Sequence, residues 1–194
     1  MPANPSENSD SPGGRTSRSA VLPEIARDDL DSAGRSLYDE ILAARGSISG
    51  PFGIWLHSPE FTRRATQLGE FLRYHTSLSP RLSELAILVT ARCTNAPVEW
   101  AIHEPLARKA GLPEAVIAAL AEDAPLPAAA AADEHAVHEF CAQLHRRHTA
   151  DEAVTRQVVE LLGAAGAVEL TGICGYYTMV SMTLNAFRVS LPDS

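Results

Sequence analysis

Proline opens one apolar segment after another in this chain: Ser58-Pro59, Ser79-Pro80, Ala96-Pro97 and Leu112-Pro113 each precede residues whose apolar members recur three and four apart. Proline has no amide hydrogen and a fixed φ, so it breaks a helix interior but suits the first turn. A serine before it can accept from the unpaired amides of that turn. The punctuation therefore predicts helices. Phe61, Ala65, Leu68, Phe71 and Leu72 share a face of the first, and Leu82, Leu85, Ala86, Leu88 and Val89 of the second, Arg81–Cys93, face a core. The break at Asn95-Ala96-Pro97 starts a third helix that runs to about Ala110, and Gly111 closes it. A short helix from Glu114 ends near Ala121.

The rest of the chain follows the same rule. Leu30, Leu37, Ile41 and Leu42 recur at helical spacing up to Gly46. Residues 122–132, rich in Pro and Ala, read as a surface connection to a helix Asp133–Arg147. Thr149 with Glu152 three residues on forms a capping box ahead of Val154, Val158, Val159, Leu161 and Leu162. Gly163 and Gly166 separate that helix from a last one, Val168–Phe187. No alternating strand and no Asn-Gly hairpin interrupts the pattern. The expectation is an all-α bundle of about eight or nine helices, a single domain over residues 23–194. Residues 1–22 are expected to form a disordered tail, since no Val, Leu, Ile or aromatic precedes Val21.

Charge and cysteine content narrow the function. A net charge of −8 argues against nucleic acid and against a polybasic membrane anchor. Three cysteines with no Cys-x-x-Cys are no disulfide framework, and the expected setting is the reducing cytoplasm. Leu170–Phe187 is a run of 18 uncharged residues carrying Thr, Ser, Asn and two Tyr. Without a second such run, a buried helix is favoured over a membrane span. A helix apolar nearly all round needs cover on every side, so it reads as a core helix or as a core helix that also meets a second subunit. His135, His138, His145 and His148 fit a solvated face better than a metal site, because no carboxylate–histidine ligand spacing accompanies them.

The chemistry concentrates in Leu82–Lys109. Glu84 sits inside the apolar stripe, where a carboxylate is costly unless paired. Glu99 and His103 stand four apart on one helical face. The turn at Asn95-Ala96-Pro97 can fold Glu84 toward His103, with Cys93 and Trp100 nearby. Carboxylates beside an imidazole make an acid–base site whose pKa values are split by proximity. The spacing equally describes a solvated i,i+4 pair, and Cys93 and Trp100 equally describe core residues.

Several stretches together resemble the carboxymuconolactone decarboxylase family, related to the alkylhydroperoxidase-like disulfide peroxidases. They are Leu56-His57-Ser58-Pro59-Glu60, Leu78-Ser79-Pro80-Arg81-Leu82-Ser83-Glu84-Leu85-Ala86-Ile87, Glu99-Trp100-Ala101-Ile102-His103-Glu104-Pro105-Leu106-Ala107 and Ala110-Gly111-Leu112. Val168-Glu169-Leu170, Gly175-Tyr176-Tyr177-Thr178 and Leu184-Asn185-Ala186-Phe187 extend the likeness to roughly Leu37–Leu191.

The resemblance implies an alkylhydroperoxidase-like helical fold, no cofactor, and a homo-oligomer (dimer, trimer or hexamer). Glu84 and His103 match the peroxidase branch's Glu and His. The two cysteine positions of that branch hold Ala96 and Glu99 here, which argues against disulfide peroxidase activity. The reading that follows is a lyase or isomerase acting on a small carboxylated lactone or oxo acid. His103 would be the acid or proton shuttle, Glu99 its orienting partner and Glu84 the second member of the relay. Cys93 is a further site candidate. Arg92 and Arg81 would hold the substrate carboxylate and Trp100 would wall the site. The alternatives are a peroxidase using Cys93 alone and a non-catalytic oligomeric binding protein.

Overall fold

A computed structural model gives the fold and describes residues 21–48 and 50–190. After a 3₁₀ turn at Arg27–Asp29 come α1 (Ser32–Arg45), α2 (Phe52–Trp55), α3 (Pro59–Tyr74), α4 (Pro80–Cys93), α5 (Pro97–Lys109), α6 (Glu114–Ala121), α7 (Ala132–Arg147) and α8 (Glu152–Phe187). These are the eight α-helices among the described residues, and no strand occurs among them. Residues 1–20 of the expected disordered tail lie outside the described residues. Val21 and Leu22, counted with that tail, are attached: the Val21 amide donates to the Phe187 carbonyl at 3.3 Å, and Leu22 packs on the core.

α4 is the axis of the bundle. Every residue from Leu82 to Ala91 is buried. α5, α7 and α8 pack around it, so its apolar run is covered on all sides. Ser79 caps it by accepting from the Leu82 amide at 3.4 Å, with Pro80 in the first turn, as the Ser-Pro signal predicts.

Three local expectations are corrected. On α3 the buried face is Thr62, Ala65, Gly69 and Leu72, while Phe61, Leu68 and Phe71 stay exposed. The reason is the close approach of α8: a Cβ on Gly69 would lie 2.2 Å from the Tyr176 hydroxyl, so the face against α8 carries small residues there. The Thr149 capping box does not form. α8 starts two residues later with Asp151 at its N-cap. The Asp151 carboxylate instead accepts from Gln143 Nε2 at 3.0 Å and pairs with Arg147 at 3.0 Å, closing the turn after α7. The break between the last two helical segments lies at Gly163 alone, at φ 73°, a conformation that glycine adopts without a steric penalty. Gly166 is helical and buried.

α8 buries one face only. Leu170, Ile173, Cys174, Tyr176, Tyr177, Val180 and Leu184 enter the core, while Val168 and Met182 are 73% and 63% exposed. The N-termini of α4 and α7 are tied by Arg81, which binds Asp133 at 2.6 Å and also Glu134. Glu134 in turn accepts from the Ala131 amide.

Candidate active site

The α4–α5 turn folds the two helices back on each other, and several bonds hold it. The Ala96 amide donates to the Ala91 carbonyl at 2.9 Å. Asn185 of α8 donates to the Thr94 carbonyl at 3.0 Å and to the Asn95 carbonyl at 3.3 Å. Pro97 then starts α5 and sets the face that carries Glu99 and His103.

His103 is held between two carboxylates. Its Nδ1 lies 2.7 Å from Glu84 Oε2, and its Nε2 lies 3.1 Å from Glu99 Oε1. His103, Glu99 and Glu84 are only 1%, 3% and 9% exposed. The Tyr177 ring meets the imidazole edge-on at 5.2 Å. A neutral imidazole has one N–H, so it satisfies only one of the two carboxylates; the imidazolium donates to both. Burial pushes the His103 pKa down, but the hydrogen bonds and charges of Glu84 and Glu99 outweigh it and hold the pKa above the ordinary value.

Glu99 and His103 wall a cavity of about 280 Å³. Arg45 from the end of α1 and Arg73 from the end of α3 face them, with Tyr74, Tyr176 and Tyr177. The Arg45 guanidinium lies over the Phe52 ring, 4.6 Å from its centre. Burial pushes the Tyr176 hydroxyl up to about 12 and raises that of Tyr177 further, so both remain neutral donors across the physiological range. The cavity therefore offers two cations, three phenols and a carboxylate backed by a buried imidazole.

Four of the other candidates fall elsewhere. Trp100 is absent from this cavity: it donates to Glu104 at 3.1 Å and lines a separate hollow with Arg92 and Pro97. One residue beyond Glu99 turns it about 100° round the helix. Arg92 is exposed at the far end of α4 from Glu84. Arg81 is committed to Asp133 and Glu134. Cys93 lies beside Arg92 and Arg146, outside the His103 cavity, and burial pushes its thiol up. Sequence reasoning missed Arg45 and Arg73. Each stands in the last turn of its helix, where a cation is also what the helix dipole favours, so the local pattern marks neither as a ligand.

With this geometry in place, comparison with known proteins gives a coherent result. Residues 59–139 match the Carboxymuconolactone decarboxylase family. That segment holds Glu84, Glu99 and His103, and the family resemblance read from the sequence is borne out there. The fold is similar to the alkylhydroperoxidase AhpD core structure of an uncharacterized peroxidase-related protein from Ralstonia eutropha JMP134. The TM-score is 0.73 at 16% identity, covering 90% of this chain and 93% of that one. An uncharacterized peroxidase-related protein from Silicibacter sp. TM1040 gives 0.72 at 17% identity, covering 93% and 96%. A protein of unknown function from Agrobacterium tumefaciens, a putative antioxidant defence protein AhpD, gives 0.63 at 16% identity, covering 73% and 97%. These likenesses establish an AhpD-like all-α fold. No protein of curated function matches the sequence.

Proposed function

We propose that this protein is an acid–base catalyst of the carboxymuconolactone decarboxylase type, a lyase or isomerase working without a cofactor on a small carboxylated lactone or oxo acid. The observation that supports it is the placement of His103 between Glu84 and Glu99 in the wall of a cavity that also presents Arg45 and Arg73. The guanidinium groups would bind the substrate carboxylate, a task suited to their planar donor fork. Loss of CO2, or removal of an acidic C–H, leaves electron density on carbon that a positioned acid must protonate.

Both ring nitrogens of His103 are occupied by carboxylates, so Glu99 is the group that meets the substrate. His103 supplies and recovers the proton behind it, and Glu84 steadies the imidazolium. Glu99 stands where the peroxidase branch has a thiol, which replaces sulfur redox chemistry at this cavity with proton transfer. A peroxidase centred on Cys93 gains nothing here, because that thiol lies outside the cavity.

The proposal includes a homo-oligomer. The exposed α8 face around Val168 and Met182 favours burial against a second copy. The test of the activity is a thermal-shift screen against small dicarboxylates and carboxylated lactones. It is followed by CO2 release and isomerisation assays on the binders with wild type and His103→Asn. Turnover that requires His103 supports the reading. Hydroperoxide turnover at this cavity with no proton-transfer activity overturns it.

A further inference from the structure

Cys141 and Cys174 are 33 residues apart in sequence, yet their Sγ atoms lie 3.3 Å from each other in the core between α7 and α8. They are 0% and 4% exposed. The pair is not alone. His145, one turn after Cys141 on α7, has its Nε2 2.9 Å from the Thr90 hydroxyl of α4, and both side chains lie beside Cys174. His145 is only half-buried, so it links the buried sulfurs to the surface. The two thiols differ. The hydrogen bond with Cys141 and the nearby His145 and Thr90 side chains lower the Cys174 pKa against the opposing effect of burial, while Cys141 is shifted upward. His145 and Thr90 thus single out Cys174 as the sulfur of the pair that is the easier to deprotonate. This arrangement lies apart from the His103 cavity and shares no residue with it.

We propose that Cys141 and Cys174 form a second, redox site, a dithiol that small hydroperoxides oxidise reversibly to a disulfide. His145 takes the Cys174 proton. The thiolate attacks the distal peroxide oxygen, forming an S–O bond as the O–O bond breaks, and the departing alkoxide recovers the proton from His145 as an alcohol. Cys141 sulfur then attacks the Cys174 sulfenic acid. The S–S bond forms, the S–O bond breaks, and hydroxide leaves with the Cys141 proton as water. Two thiols are oxidised, and one hydroperoxide is reduced to one alcohol and one water. A disulfide needs the sulfurs at about 2.05 Å, so the helices or side chains close the remaining gap by about 1.2 Å.

The experiment uses the full chain and hydrogen peroxide as the probe. Reduced protein is exposed to a small molar excess at neutral pH and quenched. Its thiols are counted in denaturant, and its peptides are mapped by mass spectrometry without reduction. The expected result is a fall from three thiols to one, a linked peptide pair joining Cys141 to Cys174, and recovery of all three with dithiothreitol. Cys93→Ser should lose its two remaining thiols in the same way, which keeps the test valid if Cys174→Ser fails to fold. His145→Asn should form the link severalfold more slowly near neutral pH and recover at higher pH, a profile that mere packing of the two sulfurs does not produce. The proposal is overturned if three thiols persist, if only Cys93 is oxidised, or if the sulfurs proceed to sulfinic acid without a link.

Discussion

His103 Nδ1 lies 2.7 Å from Glu84 Oε2, so a bond across 19 residues of sequence joins the buried face of α5 to the central helix α4. The same ring reaches Glu99 one turn behind it, which makes the imidazole the bridge between two buried carboxylates. A single added proton therefore lets the imidazole donate to both carboxylates at once.

Removing the bridge leaves Glu84 and Glu99 buried without a cation between them. His103→Asn should lower unfolding free energy by about 3–5 kcal/mol, the usual cost of breaking a buried ion pair from one side. Glu84→Gln, which keeps a hydrogen-bonding group at that position, should cost less. Urea denaturation at neutral pH checks both, and equal losses in the two variants would contradict the account.

The pH dependence follows from the raised His103 pKa. The folded state holds its proton at pH values where the unfolded chain, at about 6.5, has released it. The stabilisation is fully present below that value and is lost as pH rises through the higher folded-state pKa. The stability gap between wild type and His103→Asn should accordingly narrow on going alkaline. Denaturant unfolding across the neutral to alkaline range measures it, and a gap that widens with pH would contradict the assignment.

Arg45 and Arg73 are expected to hold the substrate carboxylate. Replacing Arg73 with Met should weaken binding of a small dicarboxylate by about tenfold to a hundredfold, the range for one hydrogen bond to a charged group. Arg92→Ala, on another face, should leave it unchanged. Calorimetric titration decides between them; equal losses in Arg73→Met and Arg92→Ala would place the anion site elsewhere.

Helix punctuation was legible because prolines and glycines act locally, and Pro80, Pro97, Gly111 and Glu114 each mark a boundary the structure keeps. Glu84 was legible as well, since a carboxylate inside an apolar stripe requires a partner. Trp100, Arg92 and Arg81 lie away from His103 for a different reason. Nearness in sequence to Glu99 and Glu84 does not fix the side of the helix that meets a third element. Arg45, Arg73 and the Cys141–Cys174 pair come together only through the packing of α1, α3, α7 and α8, which no local window encodes.

The exposed apolar residues of α8 bear on assembly. Light scattering of dilute protein should return a multiple of the 20.8 kDa chain mass. Met182→Lys, on the open face of α8, should shift that mass toward the single chain without unfolding it. A wild-type monomer would contradict the proposed oligomer.

The central claim is proton transfer to and from carbon by Glu99 and His103. Its most direct measurement is deuterium incorporation from D2O, followed by proton NMR, into a panel of small oxo dicarboxylates and carboxylated butenolides. The account predicts enzyme-dependent exchange at an acidic C–H of at least one member, reduced about a hundredfold or more in both His103→Asn and Glu99→Gln, the scale of general acid–base groups. Exchange that persists undiminished in both folded variants, or no exchange with any member of the panel, would contradict it.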